Sequence, residues 1–399
     1  MKRKGFTLIE LLAVIVILAI IALIATPIVL DIIEDSKNSS IKRSIELYAD
    51  AVENSVAKAQ LNGSVVPSGK YTTTDGKTLT QGNTTIKVDY DGAKTVCDVV
   101  ISNKGNIYLE NCSVNDKTVE YTYGDVIYYN GKIVYFDVAT GKACDNYTEE
   151  NSNTGYNGIG GTGKQNGCLK FYAFNDFGSD KVNLILDHNT TAKVAWISKD
   201  DYISAGGEDL SAVVSCQYGG LCATTEFGPI TSLTQLKNDT ALWQGTETPE
   251  NYIMDQVGQT SNANYVIKYK DEGYKARLIT PNEVATIVEN TSFDEKTDID
   301  TFYFDTNTST ASPTCKEGNI TGCKYGWLYD RTAPICTTYG CSNNSDVSIP
   351  GYWTSTSRAD NANNAWNVNY YGNVYYVNIT SSSSYGVRPV IEVLKSNLS

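Results

Sequence analysis

Hydrophobic positions fall into three regimes along the chain. From Leu11 to Leu30 every residue is apolar except Thr26 and Pro27, and as a helix rising about 1.5 Å per residue this run is long enough to cross a bilayer. From Ile41 the apolar positions thin to steps of three or four: Ile41, Ile45, Tyr48, Val52, Val56 and Ala59. That spacing marks one buried face of an amphipathic helix. Asn62-Gly63 then supplies a stop. The two patterns join into a single helix over residues 6–62, roughly 85 Å long at the α-helical rise, with a membrane span over about 6–30. In residues 63–123 the pattern changes to short strands at 85–90, 98–101 and 106–109, set between Gly and Asn turns. From 124 to 399 the chain is rich in Tyr, Asn, Gly and Thr and reads as one large domain. It contains a long polar loop over 145–167, a helix beginning at Pro281, and a hairpin over Ala365–Ile379 around Tyr370-Tyr371-Gly372-Asn373.

The expected span is preceded by Lys2-Arg3-Lys4 and Gly5, opens on Phe6, and holds one carboxylate, Glu10, just before the apolar run. An acid in such a segment is costly to bury and is by default a functional group seeking a partner. A secretory signal peptide would want a small-x-small cleavage site, which Leu23-Ile24-Ala25 supplies poorly. A plain anchor gives no reason for Glu10 or for Gly5-Phe6. The first 35 residues resemble the class III leader of type IV pilins and type II secretion pseudopilins. The resemblance implies that residues 1–5 are removed by a prepilin peptidase cutting between Gly5 and Phe6, and that the new Phe6 amine is methylated. It also implies that Glu10 pairs with the Phe6 ammonium of a neighbouring subunit in a filament, and that Pro27 kinks or locally melts the helix. The expected partners are other pilin subunits, the peptidase and, before assembly, the membrane. The expected location is the bacterial membrane as a single-pass protein, then the cell-surface pilus.

Composition narrows the rest. The 399 residues carry a net charge of −13, which loss of the three leader cations takes to −16. A surface so acidic excludes nucleic acid as a partner, because neutralising phosphates needs clustered Lys and Arg. Ten cysteines fall into close pairs: Cys97/Cys112, Cys144/Cys168, Cys216/Cys222, Cys315/Cys323 and Cys336/Cys341. In an exported chain an even count reads as disulfides, with local pairing the simplest connectivity. Zinc would want C-x2-C spacings, and there are none.

Three motifs follow in order in the large domain: Arg277-Leu278 with Thr280 and Glu283, Trp353-Thr354-Ser355, and Gly386-Val387-Arg388-Pro389. Thr280 and Glu283 have capping-box spacing ahead of a Pro281 helix start. Together the motifs resemble the C-type-lectin-like fold of the formylglycine-generating-enzyme (sulfatase-modifying factor) superfamily, in its non-catalytic branch, over residues 124–399. The resemblance implies a helix start, a core tryptophan and a closing strand whose Arg388 is buried and hydrogen-bonded. The expected fold class is therefore α+β: a long N-terminal helix on a small antiparallel sheet, as in pilins, followed by a C-type-lectin-like domain.

Catalysis finds little support. The enzymatic branch uses a cysteine pair just before its final Gly-x-Arg strand, whereas Cys336 and Cys341 lie upstream of Trp353. His188 is the only histidine, and no Gly-x-Ser-x-Gly nucleophile elbow accompanies it. Gly158–Gly163 lacks the flanking strand, helix and Lys-Ser/Thr of a phosphate cradle. No cofactor is expected. Asp298 and Asp300 offer carboxylates for a structural calcium ion, although a solvated loop is the commoner use of such a pair. What remains is a binding surface in the C-terminal hairpin, with Tyr370, Tyr371, Asn373, Tyr375 and Tyr376 as candidate ligand residues. Rigid amphipathic rings beside adaptable amides are what recognition surfaces use, while strands also favour tyrosine for packing alone. The segment further resembles the variable region of retroelement-diversified C-type-lectin-like proteins. These features predict a filament subunit displaying a head for adhesion or ligand binding. The alternative is a major pilin or pseudopilin whose head only builds the fibre.

Overall fold

A computed structural model of the chain describes residues 8–102, 104–144, 168–190, 193–210, 222–254, 265–305, 323–329, 351–369, 371–381 and 385–398; within the first helix, the side chains of 10, 21, 22, 24–28 and 31 are outside the described set. The chain divides into two compact units. The first comprises Met1–Ile101 with Gly105–Asp125, the second Ser102–Lys104 with Val126–Ser399.

The first unit is organised by α1 (Leu8–Leu61), a helix of 54 residues. Its hydrogen-bonded pattern continues through Pro27. It ends in a Schellman arrangement: Gly63 has φ +78°, its N–H bonds the Gln60 carbonyl, and the Ser64 N–H bonds that of Ala59. Ile45, Tyr48, Ala49, Val52 and Val56 are buried and pack with Val99, Ile101, Ile107 and Leu109. The latter belong to an antiparallel sheet of β1 (Gly69–Tyr71), β4 (Thr95–Ile101), β5 (Ile107–Val114) and β6 (Lys117–Thr118), in that order. A hairpin of β2 (Thr78–Gln81) and β3 (Thr84–Lys87) adds Leu79 and Ile86 to the same core. The strand expected to run to Tyr90 stops at Lys87, where the chain turns to the helix and the Asp89 N–H approaches Ser55 Oγ. Across β4 and β5 the Cys97–Cys112 disulfide lies at a register shift, beside Asn111 in left-handed conformation.

The second unit contains two five-stranded sheets. One has the order β18 (Val390–Leu394), β10 (Lys181–Leu186), β9 (Cys168–Phe174), β7 (Ile133–Asp137), β8 (Lys142–Ala143), so that the last strand closes against residues some two hundred positions earlier. The Cys144–Cys168 disulfide ties the end of β8 to the start of β9. The other sheet has the order β13 (Phe302–Tyr303), β16 (Asn373–Asn378), β15 (Asn364–Asn369), β14 (Gly351–Ser357), β17 (Tyr385–Gly386), antiparallel except for the parallel β14/β17 pair. A two-stranded ribbon, β11 (Tyr252–Met254) with β12 (Tyr265–Ile267), and the helices α2 (Lys199–Ser204), α3 (Ile230–Asp239), α4 (Pro281–Ile287) and α5 (Gly326–Tyr329) complete the described elements.

Cross-strand partners share a sheet face, and the second sheet has a distinct core on each side. Trp353, Ala365 and Tyr385 belong to one cluster, with Trp196, Phe171 and Leu184. Tyr352, Trp366, Val368 and Val374 belong to the other, with Phe174, Ile185 and Leu328. All of β14 is buried.

Candidate functional site

The N-terminal part of α1 is apolar and uncovered. Leu8 is 85% exposed, and Leu11, Leu12, Val14, Ile15, Val16, Ile17, Leu18 and Ile20 all remain about half exposed or more. Five consecutive residues, Val14 to Leu18, sweep more than a full helical turn, so the exposed apolar surface encircles the helix. A helix hydrophobic all round belongs inside lipid or inside an assembly of other helices. Among the described residues no helix is long and apolar enough to cross a membrane; the expected span includes positions 21, 22 and 24–28, whose side chains are outside that set. Gly5 and Phe6 also lie outside the described residues, and so do the side chains of Glu10 and Pro27, although both of those positions are helical.

The hairpin residues differ in exposure. Tyr371 is 46% exposed and Tyr375 39% exposed. The Tyr376 ring stacks on that of Tyr375, centroids 5.2 Å apart and 5° from parallel, and also packs edge-on to Trp366 and beneath the Arg358 guanidinium, 3.7 Å from its ring centroid. Arg358 in turn pairs with Asp360 at 2.8 Å. Asn373 is only 3% exposed, so this candidate ligand residue faces inward. Gly372 makes the turn with φ +68°, where an added Cβ would meet the Tyr329 ring at 3.0 Å. Tyr370 lies outside the described residues.

The motif residues have structural work to do. Arg277 forms a two-pronged ion pair with Glu283 at 2.7 and 2.6 Å and also donates to Asn183. Glu283 closes the capping box on Thr280 with Pro281 at the helix start. Trp353 is fully buried and donates to the Val194 carbonyl. Arg388 is 3% exposed and donates to the carbonyls of Leu186, Trp327 and Leu328, the last two within α5. The Leu328 carbonyl accepts from the Tyr352 hydroxyl as well, at 2.9 Å, so guanidinium and phenol together tie this helix to the closing strand and β14.

His188 is buried beside Asp187, to which it is hydrogen-bonded, while its neighbours Asn189 and Thr190 bond the Gly351 and Val387 carbonyls. This loop braces the second sheet. Asp298 accepts the Asp294 N–H, and among the described residues no group of three or more His, Cys, Asp or Glu side chains could hold a metal. Cys323 is disulfide-bonded to a partner outside the described residues. Cys216, Cys315, Cys336 and Cys341 are outside them too, and with them the pairing expected for Cys222.

Sequence reasoning missed Glu295, which is 6% exposed, accepts from the Tyr252 hydroxyl and the Asn282 N–H, and is pushed by burial up to about 7. Its setting, Phe293-Asp294-Glu295-Lys296, reads as solvated loop and gives no signal. Asp239 in α3 is similarly buried and pushed up to about 6.

Residues 1–26 match the prokaryotic N-terminal methylation motif, the processing and methylation signature of type IV pilin-like and pseudopilin subunits. No curated protein and no solved structure matches the chain.

Proposed function

We propose that the chain is a type IV pilin-like filament subunit whose second unit is a C-type-lectin-like head that binds a ligand at the cell surface. The observation that carries the assembly half is the single helix Leu8–Leu61, apolar all round within the methylation motif and amphipathic where it packs on its own sheet. A prepilin peptidase cuts between Gly5 and Phe6 and methylates Phe6. The subunit waits in the membrane as a single-pass protein, then joins other pilin subunits in the pilus, where Glu10 finds the Phe6 ammonium of a neighbour. The lectin-like reading is supported by the capping box at Thr280, the buried Trp353 and the buried Arg388, and the binding reading by the exposed rings of Tyr371 and Tyr375. The head is read as a binding module and not as an enzyme.

The second reading, a major pilin or pseudopilin without a dedicated ligand, is favoured by the burial of Asn373 and of nearly all of β15. Cells expressing the chain test both halves. Gly5→Ser is expected to leave the leader uncut, and Glu10→Ala to leave membrane insertion intact while depleting the subunit from sheared filaments. Normal filaments from both variants overturn the assembly reading. Adherence to host cells, mucin or bacterial surfaces that drops in Tyr371→Ser/Tyr375→Ser, with filaments intact, supports the adhesin. Adherence that depends on the filament but ignores this double variant moves the assignment to the structural subunit.

A further inference from the structure

The C-terminal half of α1 carries opposite charges on its two open flanks. Ile45, Tyr48, Ala49, Val52 and Val56 mark its buried face. At 3.6 residues per turn, Asp50 and Glu53 lie roughly 110° round from the centre of that face on one side, and Ser55, Lys58 and Asn62 roughly 100° round on the other. Asp50 and Glu53 are exposed and have no ion pair among the described residues. The cations nearest them in sequence are engaged elsewhere: Arg43 pairs with Glu46 at 3.4 Å, and Lys42 lies over the Tyr121 ring. Burial raises the Glu53 carboxyl and the Asp50 charge adds to it, while Glu53, Asp50 and Glu46 add to burial in raising the Tyr123 hydroxyl. On the other flank a groove of about 190 Å³ opens between α1 and β3, with Ser55, Lys58, Asn62, Ile86, Lys87 and Asp89 in its lining. Lys58 and Lys87 are exposed and also have no ion pair among the described residues. Two lysines against one aspartate leave this groove net positive in a chain of net charge −13.

We infer that the Asp50–Glu53 flank of one copy of this chain docks into the Lys58–Lys87 groove of the next copy in the filament. The inference rests on the filament reading and names the two surfaces that meet. Copies inserted through one membrane have parallel helices, and a two-fold axis along them would set like flank against like, acid on acid. Contact between unlike flanks is heterologous, the kind that repeats from copy to copy and builds an open helix unless it closes into a ring. Bringing residues near 50 level with residues near 58 on a parallel helix staggers the copies by about 12 Å along the axis. That stagger prevents closure into a flat ring. Exposed ion pairs contribute little affinity each, so the exposed apolar surface of Leu8–Ile20 supplies the association and the charges set partner and register.

Filaments are sheared from cells expressing the full chain, and the subunit they contain is compared with the membrane pool by immunoblot. Lys58→Glu/Lys87→Glu sets acid against acid, and Asp50→Lys/Glu53→Lys sets base against base. Each pair is expected to lower incorporation roughly tenfold or more with the membrane pool unchanged, because like charges facing each other across an interface are strongly disfavoured. The variant carrying all four changes is complementary again and is expected to recover most of the loss. As a second readout, Asp50→Cys/Lys87→Cys is oxidised in the filament. The two positions lie on opposite sides of α1 within one subunit, so a ladder of disulfide-linked copies reports the contact between neighbours. Three results overturn the inference: both reversed pairs incorporated as well as wild type, a fourfold variant no better than the worse pair, or a cysteine variant in filaments that gives no ladder of its own copies. Any of these with wild type present in sheared filaments defeats the contact and keeps the filament reading. Wild type absent from them, as Gly5→Ser is expected to be, defeats both.

Discussion

Glu295 makes the second unit respond to pH in a direction opposite to that of most paired carboxylates. Its side chain joins three elements, accepting from the Tyr252 hydroxyl of β11 and the Asn282 N–H of α4, while Tyr252 lies 2.9 Å from Thr356 Oγ1 in β14. Desolvation raises its carboxyl from 4.5 to about 7, with smaller repulsions from Glu283 and Asp294; the bonds from Tyr252 and Asn282 pull the other way without prevailing. A carboxyl raised on folding holds its proton longer in the native state. Below pH 4.5 both states are protonated and nothing is lost. Between pH 4.5 and 7 the unfolded chain has released a proton that the folded chain keeps, so stability falls as pH rises. Above pH 7 the full cost is present. A shift of roughly 2.5 units at about 1.4 kcal/mol each gives on the order of 3 kcal/mol.

Glu295→Gln removes the charge and keeps an acceptor in place. All five tryptophans, Trp196, Trp243, Trp327, Trp353 and Trp366, belong to the second unit, so their emission follows its unfolding in the full chain. Urea titrations at pH 4.5, 6 and 8 are expected to show the variant within about 1 kcal/mol of wild type at the lowest pH and up to about 3 kcal/mol more stable at the highest. Asp239, raised to about 6 by burial, has the same sign but cancels in the difference. A variant less stable than wild type at pH 8, or a difference that does not change with pH, refutes the reasoning.

Arg388→Met removes three hydrogen bonds to buried carbonyls and is expected to destabilise the second unit by about 3 kcal/mol or more; a loss under about 1 kcal/mol in the same fluorescence titration counts against its bracing role. Thr280→Ala opens one side of the capping box and is expected to cost about 1 kcal/mol, with Arg277–Glu283 still holding the helix start, so a loss above about 3 kcal/mol would mean that Thr280 does more than cap. Replacing Cys97 and Cys112 together by Ser frees a 15-residue loop and is expected to cost the first unit about 3 kcal/mol. Amides of β4 and β5 then exchange roughly 100-fold faster, while exchange in the second unit serves as the internal control.

What could be read from the sequence was local. The helix described over Leu8–Leu61 was legible because apolar runs and period-3.6 spacing report directly on burial, and Gly63 follows it where a left-handed residue is needed. The capping box at Thr280 lies within four residues, and the Cys97–Cys112 and Cys144–Cys168 bridges join near neighbours in sequence. The illegible parts were long-range. Nothing near Val390 announces that it pairs with Ile185, or near Tyr385 that it lies parallel to Gly351. The hairpin shows why this matters for function. Tyrosine-rich composition marks the hairpin as a candidate surface, but a residue's exposure depends on what covers each side of the sheet. Here both sides are covered by cores, so Asn373 turns inward while Tyr303, Tyr371 and Tyr375 stay open, the last with its ring stacked on Tyr376. Composition therefore located the strand that carries the candidate surface. Which of its residues are covered, Asn367 and Asn373 on one face and Trp366 and Val374 on the other, follows from register and from what packs on each side.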